Sequence, residues 1–429
     1  MASTSTDRIL SLDVIRGIAV MGIFSVNVVG MALIDGAYEY PPTFGFGSLG
    51  DKIMWAANFV IVDGRFRALF SILFGASTVL VIERGIAAGR KAWQVHYPRM
   101  IVLLLFGFAH YYGLWWGDIL ANYALVGMVA FMAWRLPPRL LMLASAGALL
   151  LMYVPMVSSG LDKLHEFEAK AAPSATPAQH AFIAKQFAAL HASAKDLAQA
   201  KADHATIPAH TRAMFRDSPL RPFNSVFAYG LETLGFMLLG MAAYKAGFLT
   251  GQWSRRAYAQ VAAATIIPSA LIYGYGAGRI LQARFDPFTY FPWDQIYVSW
   301  MHPIEAMGYA ALIMLFFPRR GLVTDRIAAV GRAAFTNYLG ATLLGTVLFF
   351  GFGFGLFDRL SRGEVWLIVP FVWAAMLLWS KPWLDRFRYG PFEWAWRSLS
   401  RWRWEPMRPS RRGLAAAPQD EQFERVRSS

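Results

Sequence analysis

His110 and Asp118 stand eight residues apart in the run His-Tyr-Tyr-Gly-Leu-Trp-Trp-Gly-Asp, and the flanking residues are apolar. A carboxylate beside an imidazole in an apolar wall is the arrangement that holds the ring as a general base. The rival reading is plain: a packed, hydrogen-bonded histidine and an aspartate that N-caps the next helix. Upstream, Asp13 and Arg16 are three apart and can pair on one helix face. Asn27 follows Arg16 by eleven residues, almost three whole turns and roughly 16 Å along the same stripe. Such an amide can donate to a carbonyl as charge develops on it, or it can make an ordinary interhelical hydrogen bond.

Four further groups carry chemistry. Arg65 and Arg67 lie in Asp63-Gly-Arg-Phe-Arg-Ala-Leu-Phe70. Guanidinium forks suit carboxylates and phosphates, so Asp63, a lipid headgroup or a cofactor phosphate would each serve as the anion. His302 and Glu305 open another apolar run three residues apart, with Tyr309 one turn further. The run Gly331-Arg332-Ala-Ala-Phe-Thr336-Asn337-Tyr338 opens a third, and Glu232 interrupts a fourth. Ionisable residues inside apolar segments are costly, so these positions are functional candidates by default.

The elements that position them are membrane helices. The chain has 429 residues, 56% hydrophobic and only 16% charged, and the charges come in blocks between long apolar runs. A lipid-exposed backbone must satisfy its own hydrogen bonds, which leaves helices. The expected fold is all-α: a polytopic integral membrane helical bundle of about ten transmembrane helices. They fall near 10–34, 66–83, 97–116, 118–135, 139–158, 222–246, 256–275, 297–317, 330–355 and 363–381. Segment 51–62 is too short to cross alone; it lies at the interface or forms one leg of a helix broken before Gly64. The polar start Met1–Arg8 leads into a charged apolar segment without a cleavage site, so the first span is expected to stay.

Alternate loops carry Arg84, Arg90, Lys91 and Arg99; Arg135 and Arg139; Lys245, Arg255 and Arg256; Arg319, Arg320 and Arg326. The positive-inside rule places them, and both termini, in the cytoplasm. His110, Asn27, Arg65, Arg67, His302 and Glu305 then form an outer cluster. Arg16, Arg332, Asn337 and Glu232 form an inner one, and the helix-one stripe links the two. The organisation is membrane helices 1–5 over 1–158, an extracytoplasmic helical insert over 159–220, helices 6–10 over 221–381, and a basic, Trp-rich interfacial tail over 382–429. The tail reads as a topology anchor on an anionic leaflet, with Ala415–Ser429 disordered.

Within the insert, helical stretches are expected around 161–171 and 178–202, split by Pro173 and Pro177. Its histidines His165, His180, His191, His204 and His210 include no i, i+4 pair of the helical zinc kind. A solvated amphipathic cap without metal is the reading. The absence of cysteine excludes disulfides and thiolate chemistry. A net charge of +14 with no nucleic-acid motif points to anionic lipid as the partner, not nucleic acid.

The ordered motifs Arg8-Ile-Leu-Ser-Leu-Asp13-Val-Ile-Arg16-Gly, Gly64-Arg-Phe-Arg-Ala-Leu-Phe-Ser-Ile-Leu-Phe-Gly75, Gly117-Asp-Ile-Leu120, Gly331–Tyr338 and Tyr389-Gly-Pro-Phe-Glu-Trp-Ala-Trp-Arg397 resemble the YeiB-like bacterial membrane proteins. That family looks related to the transmembrane acyltransferases, which include the lysosomal heparan glucosaminide N-acetyltransferase. The resemblance implies transfer of an acyl group from cytoplasmic acyl-CoA or acetyl-CoA to a hydroxyl or amine of an extracytoplasmic sugar or lipid-linked glycan. It implies that Asn27 matches a site asparagine. The glucosaminide enzyme has a catalytic histidine soon after it, whereas Asp35–Gly50 here contains none. His110, oriented by Asp118, then becomes the expected base with His302 in reserve, and Arg16, Arg332 and Asn337 the expected CoA contacts. Arg65, Arg67, His302 and Glu305 would face the acceptor. The setting would be the bacterial inner membrane, and a homo-oligomer is compatible with it. The rival function is a transporter or flippase for an anionic or lipid substrate; a non-catalytic scaffold is the third.

Overall fold

A computed structural model describes residues 9–317 and 319–407. The extreme N-terminal residues and the Ala415–Ser429 stretch expected to be disordered lie outside the described residues. In chain order the helices are α1 (Leu10–Ala32), α2 (Asp35–Glu39), α3 (Leu49–Ala57), α4 (Arg65–Ala87), α5 (Ala92–Gly113), α6 (Leu120–Ala130) and α7 (Pro138–Ala171). The insert follows as α8 (Pro177–Ala188), α9 (Ala194–Asp203) and α10 (Ile207–Asp217). Then come α11 (Arg221–Lys245), α12 (Arg255–Gln282), α13 (Pro287–Phe291), α14 (His302–Phe316), α15 (Leu322–Arg332), α16 (Ala334–Phe349), α17 (Arg362–Trp366), α18 (Val369–Arg386) and α19 (Pro391–Ser400). No strand occurs among the described residues.

Local chemistry explains where these helices start and stop. Segment 51–62 is one leg of a broken helix: α3 continues through a π-helical turn, Asn58–Val62, and the chain turns at Gly64 with φ +73° before α4. A side chain at Gly64 would also overlap the His302 ring, so glycine is required there twice over. The single stretch expected over 178–202 is two helices. Ser193 and Asp196 form a capping box that restarts the chain as α9. A further helix, α10, begins at the Thr206 cap. α7 runs on as one 34-residue helix across the boundary at 158/159. The span expected over 330–355 is interrupted: α15 ends at Arg332, and α16 starts after a break at Ala333.

Among the described residues, six helices are long and apolar enough to cross a membrane: Leu10–Ala32, Leu49–Ala87, Pro138–Ala171, Arg221–Lys245, Arg255–Gln282 and Arg362–Arg386. Leu120–Ala133 and Ala334–Phe349 are apolar but shorter. α1, α4 and α11 form the centre of the bundle. α7, α12 and α18 lie outside it and present Leu150, Leu151, Ile267, Leu271, Phe371 and Leu378 outward. Meanwhile Arg65, Glu232, Glu305 and His110 are buried inside. Charged inside and apolar outside is the pattern of a membrane protein.

Glycines set the central crossings. A Cβ at Gly75 of α4 would overlap the Met237 carbonyl of α11, and one at Gly240 of α11 would overlap the Ile72 carbonyl of α4. Gly17 of α1 and Gly331 of α15 meet each other's helix backbones in the same way. Gly75→Val is expected to lower the thermal midpoint of the detergent-solubilised protein, by at least the ~1–3 kcal/mol typical of overpacking. Gly274→Val, at a position with open space around it, should melt like the parent.

Candidate functional site

The broken helix α3–α4, the C-terminal half of α1, the starts of α6 and α11, and the connection before α14 line an open-sided cavity of about 920 Å³. α7 and the insert wall it on one side through Met156, Gly160, Lys163, Phe167 and Phe187. The insert is tied to the bundle: Thr43 Oγ1 donates to Leu190 O at 2.7 Å, and Gly351 N donates to His204 O at 2.9 Å. The solvated-cap expectation holds for the exposed faces of α8 and α9 and fails for His204 and His210. Both rings are buried, with His204 stacked on Phe357 at 4.3 Å. They sit where the chain returns onto α16, and an apolar wall covers them.

Arg65 is fully buried, its Nε 3.1 Å from Glu305 Oε2. Its Nη1 donates to Phe59 O at 2.7 Å and to Asp63 O at 2.9 Å, and the guanidinium lies 3.6 Å above the Tyr273 ring. Arg67 forks onto Glu232, with Nη2 to Oε1 at 3.1 Å and Nη1 to Oε2 at 2.5 Å. Tyr153 donates to the same carboxylate at 2.8 Å. The partners are therefore Glu305 and Glu232, not the Asp63 carboxylate. Glu232 also leaves the inner cluster assigned to it from sequence, because α11 carries it to the level of Arg67. Arg67, partly open, lines the cavity with His302, Asn27 and Asp118.

The His110–Asp118 pair forms, with Nδ1 2.9 Å from Asp118 Oδ1. Both side chains are buried: Asp118 is a cavity-lining residue with a side chain only 2% exposed, and the ring turns its Nε2 to Thr342 Oγ1 at 3.1 Å. His110 ends α5 facing α16, so both ring nitrogens are taken and the ring is only 1% exposed. Asp118 Oδ2 also accepts from Ala121 N at 2.9 Å, the N-terminal contact of α6. Asp118 thus pairs with the imidazole and also bonds the first turn of α6 from the residue before its N-cap, Ile119.

At the other end of α1, Arg16 bonds Asp13 at 3.1 Å and Ser77 Oγ at 2.7 Å. Arg332 closes α15 nearby. Asn337 is spent on structure: its Nδ2 donates to Val330 O and Ser380 Oγ at 3.1 Å each, and its Oδ1 accepts from Trp379 at 2.9 Å. The tail helix α19 is docked, since Glu393 accepts from Phe335 N and Thr336 N at 2.7 and 3.0 Å and so caps α16. Trp396 donates to Arg99 O at 2.8 Å.

Sequence reasoning missed Tyr153, the pairing of Glu232, and Asp294. The signals were a tyrosine inside an apolar run and an aspartate in an aromatic loop, both common features. Asp294 lies in the π-helical turn Pro292–Tyr297, outside the six long apolar helices. Burial pushes its carboxyl up to about 8, Asp63 adds to this, and Arg362 opposes it. A carboxyl raised in the folded state contributes stability that is full below its ordinary range and is lost as pH rises through about 8. Asp35 and Asp358 rise only to about 6, so the fall between pH 7 and 8 separates Asp294 from them. The melting midpoint should fall across that window, and Asp294→Asn should flatten the fall.

The family profile described as "Protein of unknown function (DUF418)" matches residues 243–403, which include His302, Glu305, Arg332 and the docked tail. The Escherichia coli (strain K12) protein YeiB is 32% identical over 92% of this chain and 96% of its own length. YxaH of Bacillus subtilis (strain 168) is 28% identical over 94% and 96%. A 39.9 kDa protein of Bacillus acidopullulyticus is 24% identical over 92% and 94%. No solved structure matches the chain. Motif order, end-to-end identity with YeiB and the DUF418 match agree, and the chain belongs to the YeiB-like DUF418 family of membrane proteins.

Proposed function

We propose that this protein is a bacterial inner-membrane acyltransferase. It moves an acyl group from cytoplasmic acyl-CoA or acetyl-CoA to a hydroxyl or amine of a sugar or lipid-linked glycan on the far side. The observation that carries the reading is the buried His110–Asp118 pair directly beside a cavity that Asp118 and Asn27 both line. In this proposal the acceptor oxygen or nitrogen attacks the thioester carbonyl, and its proton passes to Asp118. Asn27 donates to the oxyanion, the C–S bond breaks, and Asp118 returns the same proton to the departing thiolate, which leaves as the free thiol. His110 fixes the carboxylate, and His302 and Arg67 meet the acceptor. Arg16 and Arg332 meet the donor phosphates, a role Asn337 gives up to its own hydrogen bonds. Ten crossings with both termini in the cytoplasm belong to the same proposal, with α5, α6, α14 and α16 completing the six long spans.

One observation favours a transporter instead: two ion pairs, the buried Arg65–Glu305 and the partly open Arg67–Glu232, stand beside the cavity as in a path for a charged solute. Proteoliposomes decide between them. With labelled acetyl-CoA on one face and an amino sugar or lipid-linked glycan on the other, label should appear in the acceptor. No labelled product, together with uptake of a labelled organic anion, would replace the enzyme with the transporter. The chain has no cysteine, so single cysteines report sidedness without background. Cysteines at Arg90, Arg256 and Arg320 should react from the cytoplasm and one at Ala192 from outside. Cytoplasmic labelling at Ala192 would invert the proposed direction of transfer.

A further inference from the structure

A small recess of about 30 Å³ opens beside the main cavity and shares Tyr38, Phe59, Asp63, Tyr290 and Asp294 with it. Its remaining walls include Trp55, Asn58 and Arg362. The volume holds a group the size of one or two waters. Its polar surface is unbalanced. Two carboxylates, Asp63 and Asp294, face one cation, Arg362. Neighbouring cations are already committed, Arg65 to Glu305 and Arg67 to Glu232. Arg362 itself is anchored through Nη2 to the Ala37 carbonyl at 2.7 Å.

A second observation is independent of the acidic pair. Asn58 is 8% exposed, its Nδ2 reaches Met54 Sδ at 3.5 Å, and its Oδ1 has no partner. A buried acceptor with no partner keeps its full desolvation penalty, so the position has an unmet need for a donor or a cation. The π-helical turn Asn58–Val62 places Asn58 in the recess. Tyr38, Trp55, Phe59 and Tyr290 add aromatic surface, which attracts small cations.

We propose that the Asp63–Asp294–Asn58 recess is a binding site for a small monovalent cation, either free or as the ammonium head of a longer ligand lying in the cavity. The site stands whichever reaction the cavity performs. It also implies exchange with a proton. The groups facing Asp294 are Asp63 and Glu39, which favour its protonated form, and Arg362, which opposes it, with the neutral Tyr38 and Tyr290 beside them. A bound cation replaces the proton that Asp294 otherwise holds up to about pH 8.

The test uses the purified full-length chain in detergent, with sodium, potassium or methylammonium chloride titrated against N-methylglucamine chloride at constant ionic strength. A saturable rise in melting midpoint is expected, with apparent affinity tightening up to tenfold per pH unit between pH 6 and 8, the slope for one proton released. Saturation by sodium or potassium identifies a free-ion site; saturation by methylammonium alone identifies an ammonium-head site. Asp63→Asn and Asp294→Asn should each abolish saturation, and the milder Asn58→Ala should weaken it at least tenfold while the protein stays folded. Equal midpoints in every salt, or saturation unchanged in Asn58→Ala and Asp294→Asn, would overturn the proposal.

Discussion

Asp118→Asn is expected to lower kcat/KM for acyl transfer by about 10²–10⁴-fold, the range for removing a positioned general base. The amide fills the same space and can still accept from Ala121 N, so α6 keeps its N-terminal contact and the protein should stay folded. His110→Ala should act differently. The ring is buried and bonded at both nitrogens, so its loss opens a hole and frees Asp118 and Thr342 together. That variant should melt earlier. Its surviving folded fraction should show a shifted pH–rate profile, because His110 positions the carboxylate rather than touching the acceptor. Asn27→Ala should cost roughly 10²–10³ in kcat if its amide meets the oxyanion. Full activity per folded molecule in Asp118→Asn would remove Asp118 from the chemistry. His302, the other cavity-facing base, would then be the next residue to replace.

The largest stability effect is expected at Arg65. Arg65→Met leaves Glu305, whose side chain is 3% exposed, without its cation and removes the stack on Tyr273. Breaking a buried pair from one side typically costs about 3–5 kcal/mol, since the remaining charge has no water to return to. The double variant Arg65→Met/Glu305→Gln should recover much of that loss, because no charge is then stranded. Arg67→Met should cost less, as that side chain is 36% exposed and the cavity can hydrate Glu232. Thermal melts of the four proteins in one detergent decide it. A single Arg65→Met variant that melts with the parent would mean the pair contributes nothing, and the buried-charge argument would fail.

The sequence by itself determined the solvent and the all-helical class, though not every helix boundary. Apolar runs separated by charged loops admit only helices in lipid, and the break at Gly64 followed from a segment too short to cross. The Arg16-to-Asn27 stripe was also legible, because both residues lie on one helix and helical geometry alone sets their spacing. The pairing of Arg65 and Arg67 with acidic groups could be read as a need, but not the partners. Asp63 is the nearest aspartate in sequence, yet Glu305 and Glu232 arrive on α14 and α11, and periodicity within one helix holds no record of its neighbours. The order of the His110–Asp118 pair was hidden for the same reason. Eight residues of spacing let the two meet, but α16 supplies Thr342 and turns the ring inward, while the start of α6 holds the carboxylate through Ala121 N, buried beside the cavity. Asn337 looked like a free amide until α18 brought Ser380 and Trp379 to it. Local patterning chose the helices; only their packing chose which polar groups were spent on structure and which were left facing the cavity.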